Sequence, residues 1–221
     1  MTATVIAISQ GKGGACKTTS SVNLAGALRE RGFTVIVGDM DKDKPDAWKW
    51  KNQGETIDWI ELLDDENPVN KIDNLKETCD ILILDTPPNY MALALKAVML
   101  SDFVIIPVSS SFMDKNNAKD AISIPLMAKK PFKILMSNIK KGTKEGKNLN
   151  NPDNFDSAKF NTYITNRNAM MEAVENGKWI GDFKPKSDNH MQFLNLADEV
   201  ICWINLKPHT CAVLNKEEVV L

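Results

Sequence analysis

The chain reads as an α/β protein, a single doubly wound and mostly parallel sheet with helices on both faces. Three observations predict this. Short continuous apolar runs rich in β-branched residues recur along the 221 residues. Stretches with helical apolar spacing separate them, and glycine, aspartate or proline closes most of the runs. A run that is apolar without alternation belongs to a strand covered on both sides, as in a parallel sheet between helices.

The elements follow in order. Val5-Ile6-Ala7-Ile8 is a short buried strand that leads into a glycine loop. From Thr18 to Arg31, Val22, Leu24, Ala25 and Leu28 recur at helical spacing, and Gly32 is a C-terminal stop. Phe33 to Val37 is the second strand, ending at Gly38-Asp39-Met40-Asp41, so the chain opens with a βαβ unit. Trp59-Ile60-Glu61-Leu62-Leu63 is ambiguous, and Val69 to Lys76 fits a short helix. Asp80-Ile81-Leu82-Ile83-Leu84 is a buried strand that stops at Asp85-Thr86-Pro87-Pro88. Met91 to Leu100 is helical, Phe103 to Val108 and Phe132 to Ser137 are strands, and helices are expected at Ala158 to Thr165, Ala169 to Asn176 and His190 to Leu206. Lys140 to Asp156 is polar and has no apolar period, which predicts a long loop. One domain over 1–207 and a patternless tail over 208–221 account for the chain.

Composition bounds the function. Hydrophobic residues make up 43% and charged residues 25%, as in ordinary globular proteins. A formal net charge of −2 argues against nucleic-acid binding by global charge, while a local basic patch remains open. Cys16, Cys79, Cys202 and Cys211 have neither CxxC nor Cys/His spacing, which argues against a zinc site or a disulfide framework and for reduced thiols in the cytoplasm. The first apolar run is short, and nothing approaches a transmembrane length.

The chemistry concentrates in Gly11-Lys12-Gly13-Gly14-Ala15-Cys16-Lys17-Thr18-Thr19, between the first strand and the first helix. Phosphate groups need closely approaching backbone N–H donors, and small residues allow that approach at the positive end of a helix dipole. Lys17 supplies a charge for the β- and γ-phosphates, and the Thr18 hydroxyl is a ligand for Mg²⁺. A glycine turn that merely joins strand to helix is the bland reading. Lysine-threonine at this offset, with two acidic strand ends downstream, disfavours it. In the usual pattern GxxxxGK[ST] a glycine precedes the lysine, and here Cys16 stands there. If that position needs positive φ, the side chain costs on the order of 1 kcal/mol.

Lys12-Gly13-Gly14-x-x-Lys17-Thr18 resembles the deviant Walker A box of the ParA/MinD superfamily, written KGGxGKT. Asp39-Met40-Asp41 looks like its Walker A′ segment, and Ile81 to Pro88 resembles its Walker B. Ser101 to Val108 resembles the strand that follows Walker B in that superfamily, and the stretch from Ile164-Thr165-Asn166-Arg167 to Asn176-Gly177 resembles small plasmid-type ParA proteins. The resemblance implies a P-loop NTPase fold that binds ATP and Mg²⁺ and forms a homodimer in the ATP state. It implies that Lys12 reaches the phosphates held by the other subunit, and that Asp39 orients the attacking water. Asp85 would hold Mg²⁺ through a water, with Asp41 a weaker candidate beside it. Family members usually have proline and glutamine after the second acid, where this chain has Lys42-Asp43-Lys44.

The resemblance further implies slow ATP hydrolysis stimulated by an adaptor protein, and ATP-dependent binding to nonspecific DNA on the nucleoid. Partition of plasmid or chromosomal DNA is the leading reading; the same switch positioning an organelle, a carboxysome-like cargo or a receptor cluster is the alternative. Lys129, Lys130, Lys133, Lys140, Lys141, Lys144 and Lys147 face one acid, Glu145, and Arg167, Lys178, Lys184 and Lys186 form a second basic set. A MinD-like membrane switch is the second alternative, but Cys211 to Leu221 carries one lysine and two glutamates and makes a poor amphipathic anchor. Iron–sulfur reductase relatives need a cysteine pair near the site, which Cys79 alone does not supply. A binding module without turnover would follow if Cys16 disabled hydrolysis. Trp48 and Trp50 either pack a helix or face a partner, and His190 and His209 have no catalytic partner in the sequence.

Overall fold

The computed structural model describes residues 2–63, 68–88, 91–109, 121–140, 142–143 and 158–205. Its strands are β1 (Thr4–Ile8), β2 (Val35–Asp39), β3 (Ile60–Leu62), β4 (Ile81–Asp85), β5 (Phe103–Val108) and β6 (Phe132–Met136). They form one sheet in the order β3-β2-β4-β1-β5-β6, and every pairing is parallel. Helices make the crossovers: α1 (Lys17–Glu30), α2 (Asp46–Lys51), α3 (Val69–Lys76), α4 (Met91–Leu100) and α5, helical at 121–127. After β6 come α6 (Asn168–Glu175), α7 (Ile180–Phe183) and α8 (Asp188–Ile204).

The strand residues divide with period two. Ile6, Ile8, Ile81, Ile83 and Ile105 join one core with Leu24 and Leu28 of α1, Trp50 of α2 and Phe193 and Leu196 of α8. Val5, Ala7, Leu82 and Leu84 face the other way, against Ile72 of α3 and Ala97 of α4. Val104, Ile106 and Val108 pack on that face with Val98 of α4 and Ala121 of α5. Both sides of the central strands are therefore dry, which is why their sequences are apolar without alternation.

Element boundaries shift by one or two residues from the sequence expectation, and two of the shifts matter to the site. β2 begins at Val35, because Thr34 instead binds Asp80: its N–H and hydroxyl both donate to Oδ2, at 2.8 and 2.6 Å. The strand then continues to Asp39, as β4 continues to Asp85, so both acids are strand-terminal. The ambiguous segment at 59–63 resolves as the short edge strand β3.

One expected element is overturned. Residues 158–165 are not a helix but an extended segment beside β6, with parallel bridges Ile134↔Lys159 and Ile139↔Thr165. The Ile134 N–H donates to the Ala158 carbonyl at 2.7 Å, and the Phe160 N–H returns to the Ile134 carbonyl at 3.0 Å. Phe160 and Ile164 are buried and Asn161 and Tyr163 exposed, which satisfies an edge of the sheet better than a helix face. Most of the expected loop at 140–156 and the whole tail at 208–221 lie outside the described residues.

Close approach decides one helix contact. A Cβ on Gly26 would meet the Trp179 ring at 2.4 Å, so α1 has no side chain where that indole lies on it. Trp179 also stacks edge-on against His190, centroids 5.2 Å apart. His190 Nδ1 accepts the Lys186 N–H at 3.0 Å and Nε2 lies 2.9 Å from Glu30 Oε2, so this histidine ties α8 to α1.

Candidate functional site

The loop after β1 turns into α1 through two left-handed residues, Gly14 at φ 73° and Cys16 at φ 62°. Cys16 is the N-cap of α1, and its carbonyl accepts the Ser20 N–H at 2.9 Å. No side chain caps this helix and its first turn has no acid, so its N–H groups and positive dipole end are directed at the loop. Gly13 lies beside Pro88, which a Cβ there would approach to 3.8 Å.

Lys17 is only 6% exposed. Its Nζ donates to the Lys12 carbonyl at 3.2 Å, so the ammonium folds back under the loop. Burial pushes its pKa down, against the opposing pull of Asp85 and Asp41. Lys12 itself is exposed, and it and Gly11 stand outside the lining of the cavity that the rest of the loop encloses.

The two strand-end carboxylates are register partners, Asp39 opposite Asp85 across β2 and β4. Asp85 accepts the Thr18 hydroxyl at 2.7 Å on Oδ2, and Ser21 Oγ lies 3.0 Å from Oδ1. Burial, with Asp39 as a like charge, pushes Asp85 up to about 7. Asp39 accepts the Asp41 N–H on Oδ1 and the Trp48 N–H on Oδ2, each at 3.0 Å, and so caps the start of α2. Burial drives it up to about 6, although those N–H bonds favour the ionised form.

These groups enclose a cavity of about 210 Å³ lined by Gly13 to Thr19, Asp39, Asp41, Lys44, Asp46, Asp85, Thr86 and Pro88. It opens at the carboxyl ends of β1, β2 and β4, the place where parallel α/β sheets bind ligands. Thr18 and Asp85 offer hard oxygen donors, and among the described residues no group of three or more His, Cys, Asp or Glu could hold a metal. One or two protein oxygens completed by phosphate and water is the coordination Mg²⁺ accepts, so the donor set fits that ion. Sequence reasoning missed Ser21 and Lys44. Ser21 was findable, since it follows Lys17 by one helical turn; Lys44 depends on how the loop after β2 folds.

The basic sets behave differently. Lys129 and Lys130 precede β6, Lys133 lies within it and Lys140 follows it, so the strand runs between the members of this set. Lys133 is also engaged over the Phe160 ring at 5.1 Å. Lys141, Lys144 and Lys147 lie outside the described residues. In the second set, Arg167 and Lys184 line a cavity of about 580 Å³ with Glu172 and Asp188, and Arg167 pairs with Asp188 at 3.2 Å. Trp50 is core, its Nε1 donating to the Lys178 carbonyl at 3.1 Å, whereas Trp48 is half-buried with Lys51 over its ring.

Fold and site together define a phosphate-loop nucleotide-binding protein of the doubly wound type. Residues 6–178 match the CobQ/CobB/MinD/ParA nucleotide binding domain, and the chain belongs to that family. It is 33% identical over 113 residues to the maintenance of carboxysome distribution protein A of Gloeobacter kilaueensis, covering 50% of this chain and 51% of that one. The chain thus spans about half the length of this relative. It is 24% identical over 246 aligned positions to the sporulation initiation inhibitor protein Soj of Bacillus subtilis, covering 89% and 97% of the two chains. The fold is that of the septum site-determining protein MinD of Pyrococcus horikoshii, solved with Mg-ADP, at a TM-score of 0.74 and 19% identity over 93% of this chain and 99% of that one.

Proposed function

We propose that this chain is a ParA-type ATPase that binds Mg·ATP, forms a sandwich homodimer around it and hydrolyses it slowly until an adaptor protein stimulates turnover. The ATP dimer binds nonspecific DNA, and the cycle partitions plasmid or chromosomal DNA on the nucleoid. The observation that carries the nucleotide half is the joint placement of Lys17, Thr18, Asp39 and Asp85 around one cavity at the N-terminus of α1. Lys17 neutralises the β/γ-phosphates, while the loop from Gly11 to Thr19 supplies the backbone cradle. The Thr18 oxygen would hold Mg²⁺, with Asp85, already bonded to that hydroxyl, orienting it and reaching the ion through a water. Bound Mg²⁺ supplies charge neutralisation across the phosphates. Asp39 positions the attacking water. Lys12, exposed and outside the cavity lining, would reach the phosphates of the partner subunit.

Dimerisation has a second support. α4 carries one charged residue, Lys96, in ten, and it exposes Met91 at 73%, Leu95 at 41% and Met99 at 57%. A helix apolar all round is normally covered, and this one starts three positions after Pro88 of the cavity wall.

The likeness to a carboxysome-distribution protein favours a second reading, in which the same switch positions a protein cargo. A MinD-like membrane switch has less support, since Cys211 to Leu221 carries one lysine and two glutamates and makes a poor amphipathic anchor. The test is binding to random-sequence duplex DNA with ATP, with ADP and without nucleotide, across a salt series. Binding confined to ATP, and weakening steeply with salt at about −0.9 in slope per phosphate contact, is expected. ATP dimers that bind no DNA in any buffer would remove DNA from the reading and leave the protein-cargo switch.

A further inference from the structure

The loop from Asp39 to Asp46 carries the chain's clearest departure from the family pattern, Lys42-Asp43-Lys44, and the structure shows what that departure builds. Two carboxylate bonds fold the loop back. The Asp41 N–H donates to Asp39, and the Lys44 N–H donates to Asp41 Oδ1 at 2.9 Å. Lys44 is thereby brought onto the wall of the nucleotide cavity, together with Asp41, Asp46 and the phosphate loop. Asp46, its neighbour on that wall, pairs instead with Lys49, at 3.9 Å.

Charge on the wall says what this lysine meets. The lining carries Lys17 and Lys44 against Asp39, Asp41, Asp46 and Asp85. A nucleotide polyphosphate entering such a site gains from every cation it can reach, and each additional phosphate raises the demand. Lys17 is committed beneath the loop, close to the Lys12 carbonyl. Lys44 lines the same cavity from the loop that begins at Asp39.

We propose that Lys44 binds the terminal phosphate of ATP in its own subunit, and is the residue that makes the site prefer a nucleoside triphosphate over a diphosphate. The proposal rests on the nucleotide reading above and adds a cation that the family's box does not contain. A second positive charge from the same subunit also suits a loop in which Cys16 replaces the glycine that usually precedes Lys17.

The experiment measures equilibrium binding of fluorescent ADP and of a fluorescent non-hydrolysable ATP analogue, at fixed Mg²⁺ and at protein concentrations below dimerisation. Wild type, Lys44→Ala, Lys44→Arg and Lys17→Ala are compared. Lys44→Ala is expected to weaken the triphosphate analogue about tenfold or more, the size of one charge-assisted bond. ADP should stay within about threefold, and Lys44→Arg should recover most of the triphosphate affinity. Unchanged analogue affinity in Lys44→Ala would mark a solvated rim lysine and overturn the proposal. An equal loss for both nucleotides would overturn it too, by showing that Lys44 only orders the loop. Lys17→Ala should lose both nucleotides. If wild type binds neither, the nucleotide reading fails and takes this proposal with it, whereas failure of Lys44 alone leaves that reading standing.

Discussion

Cys16 adopts φ 62° and ψ 27°, where the Cβ of an L residue crowds its own backbone at a cost of about 1–2 kcal/mol. Glycine relieves that strain but brings more freedom to the unfolded chain, which offsets about 0.4–1 kcal/mol. Cys16→Gly is therefore expected to stabilise the nucleotide-free chain by about 0.5–1 kcal/mol, read as a higher urea midpoint with an unchanged slope. A lower midpoint would mean that the thiol's contacts outweigh the strain. Lys17 shows the same economy of position: its ammonium is buried, and the Lys12 carbonyl accepts from it at 3.2 Å. The loop thus holds its cation in place with its own backbone.

At the scale of elements, the parallel register of β2 and β4 ends two strands on carboxylates that face each other, Asp39 opposite Asp85. Both folded-state pKa values, about 6 and about 7, stand above the ordinary 3.8. The folded chain therefore takes up protons that the unfolded chain does not, between about pH 4 and pH 7. Stability from this source is present at the acid end of that window and is lost as pH rises through it. Nucleotide-free wild type should lose about 1–2 kcal/mol between pH 5.5 and pH 8 relative to Asp85→Asn, whose amide can still accept from Thr18 and donate to Ser21. Parallel stability profiles for the two proteins would contradict this. The same Asp39 caps α2, and α2 in turn reaches the segment after α6 through the Trp50 bond to Lys178. Any movement of Asp39 toward a phosphate or a water must be accommodated by that helix.

For the whole molecule, the proposed sandwich homodimer assigns Lys12 to the site of a second copy. Lys12 is exposed and absent from the cavity lining, and the apolar stripe of α4 begins close by. Lys12→Ala should leave the far-UV circular dichroism unchanged and weaken the ATP-dependent dimer about 30-fold or more in sedimentation velocity, the usual effect of removing one partner of a buried charge pair. Dimerisation at wild-type strength would exclude the sandwich.

Much of this was legible in the sequence, for a physical reason. A buried parallel strand must be apolar on both faces, and a phosphate loop must combine small residues with lysine and a hydroxyl, so β1, β4, β5 and the segment from Gly11 to Thr19 declare themselves locally. The segment 158–165 did not, because a short run with a few apolar residues suits a helix or an edge strand equally until β6 offers it carbonyls and N–H groups. The lysines between Lys129 and Lys147 looked like one patch in sequence, yet of the described members Lys129 and Lys130 precede β6, Lys133 lies in it and Lys140 follows it. Local chemistry and pattern determined the fold class, the family and the loop. Only the tertiary structure decided that Asp39 faces Asp85, that Asp39 holds α2, and that Lys44 reaches the cavity, because these depend on register and on how one loop folds across another.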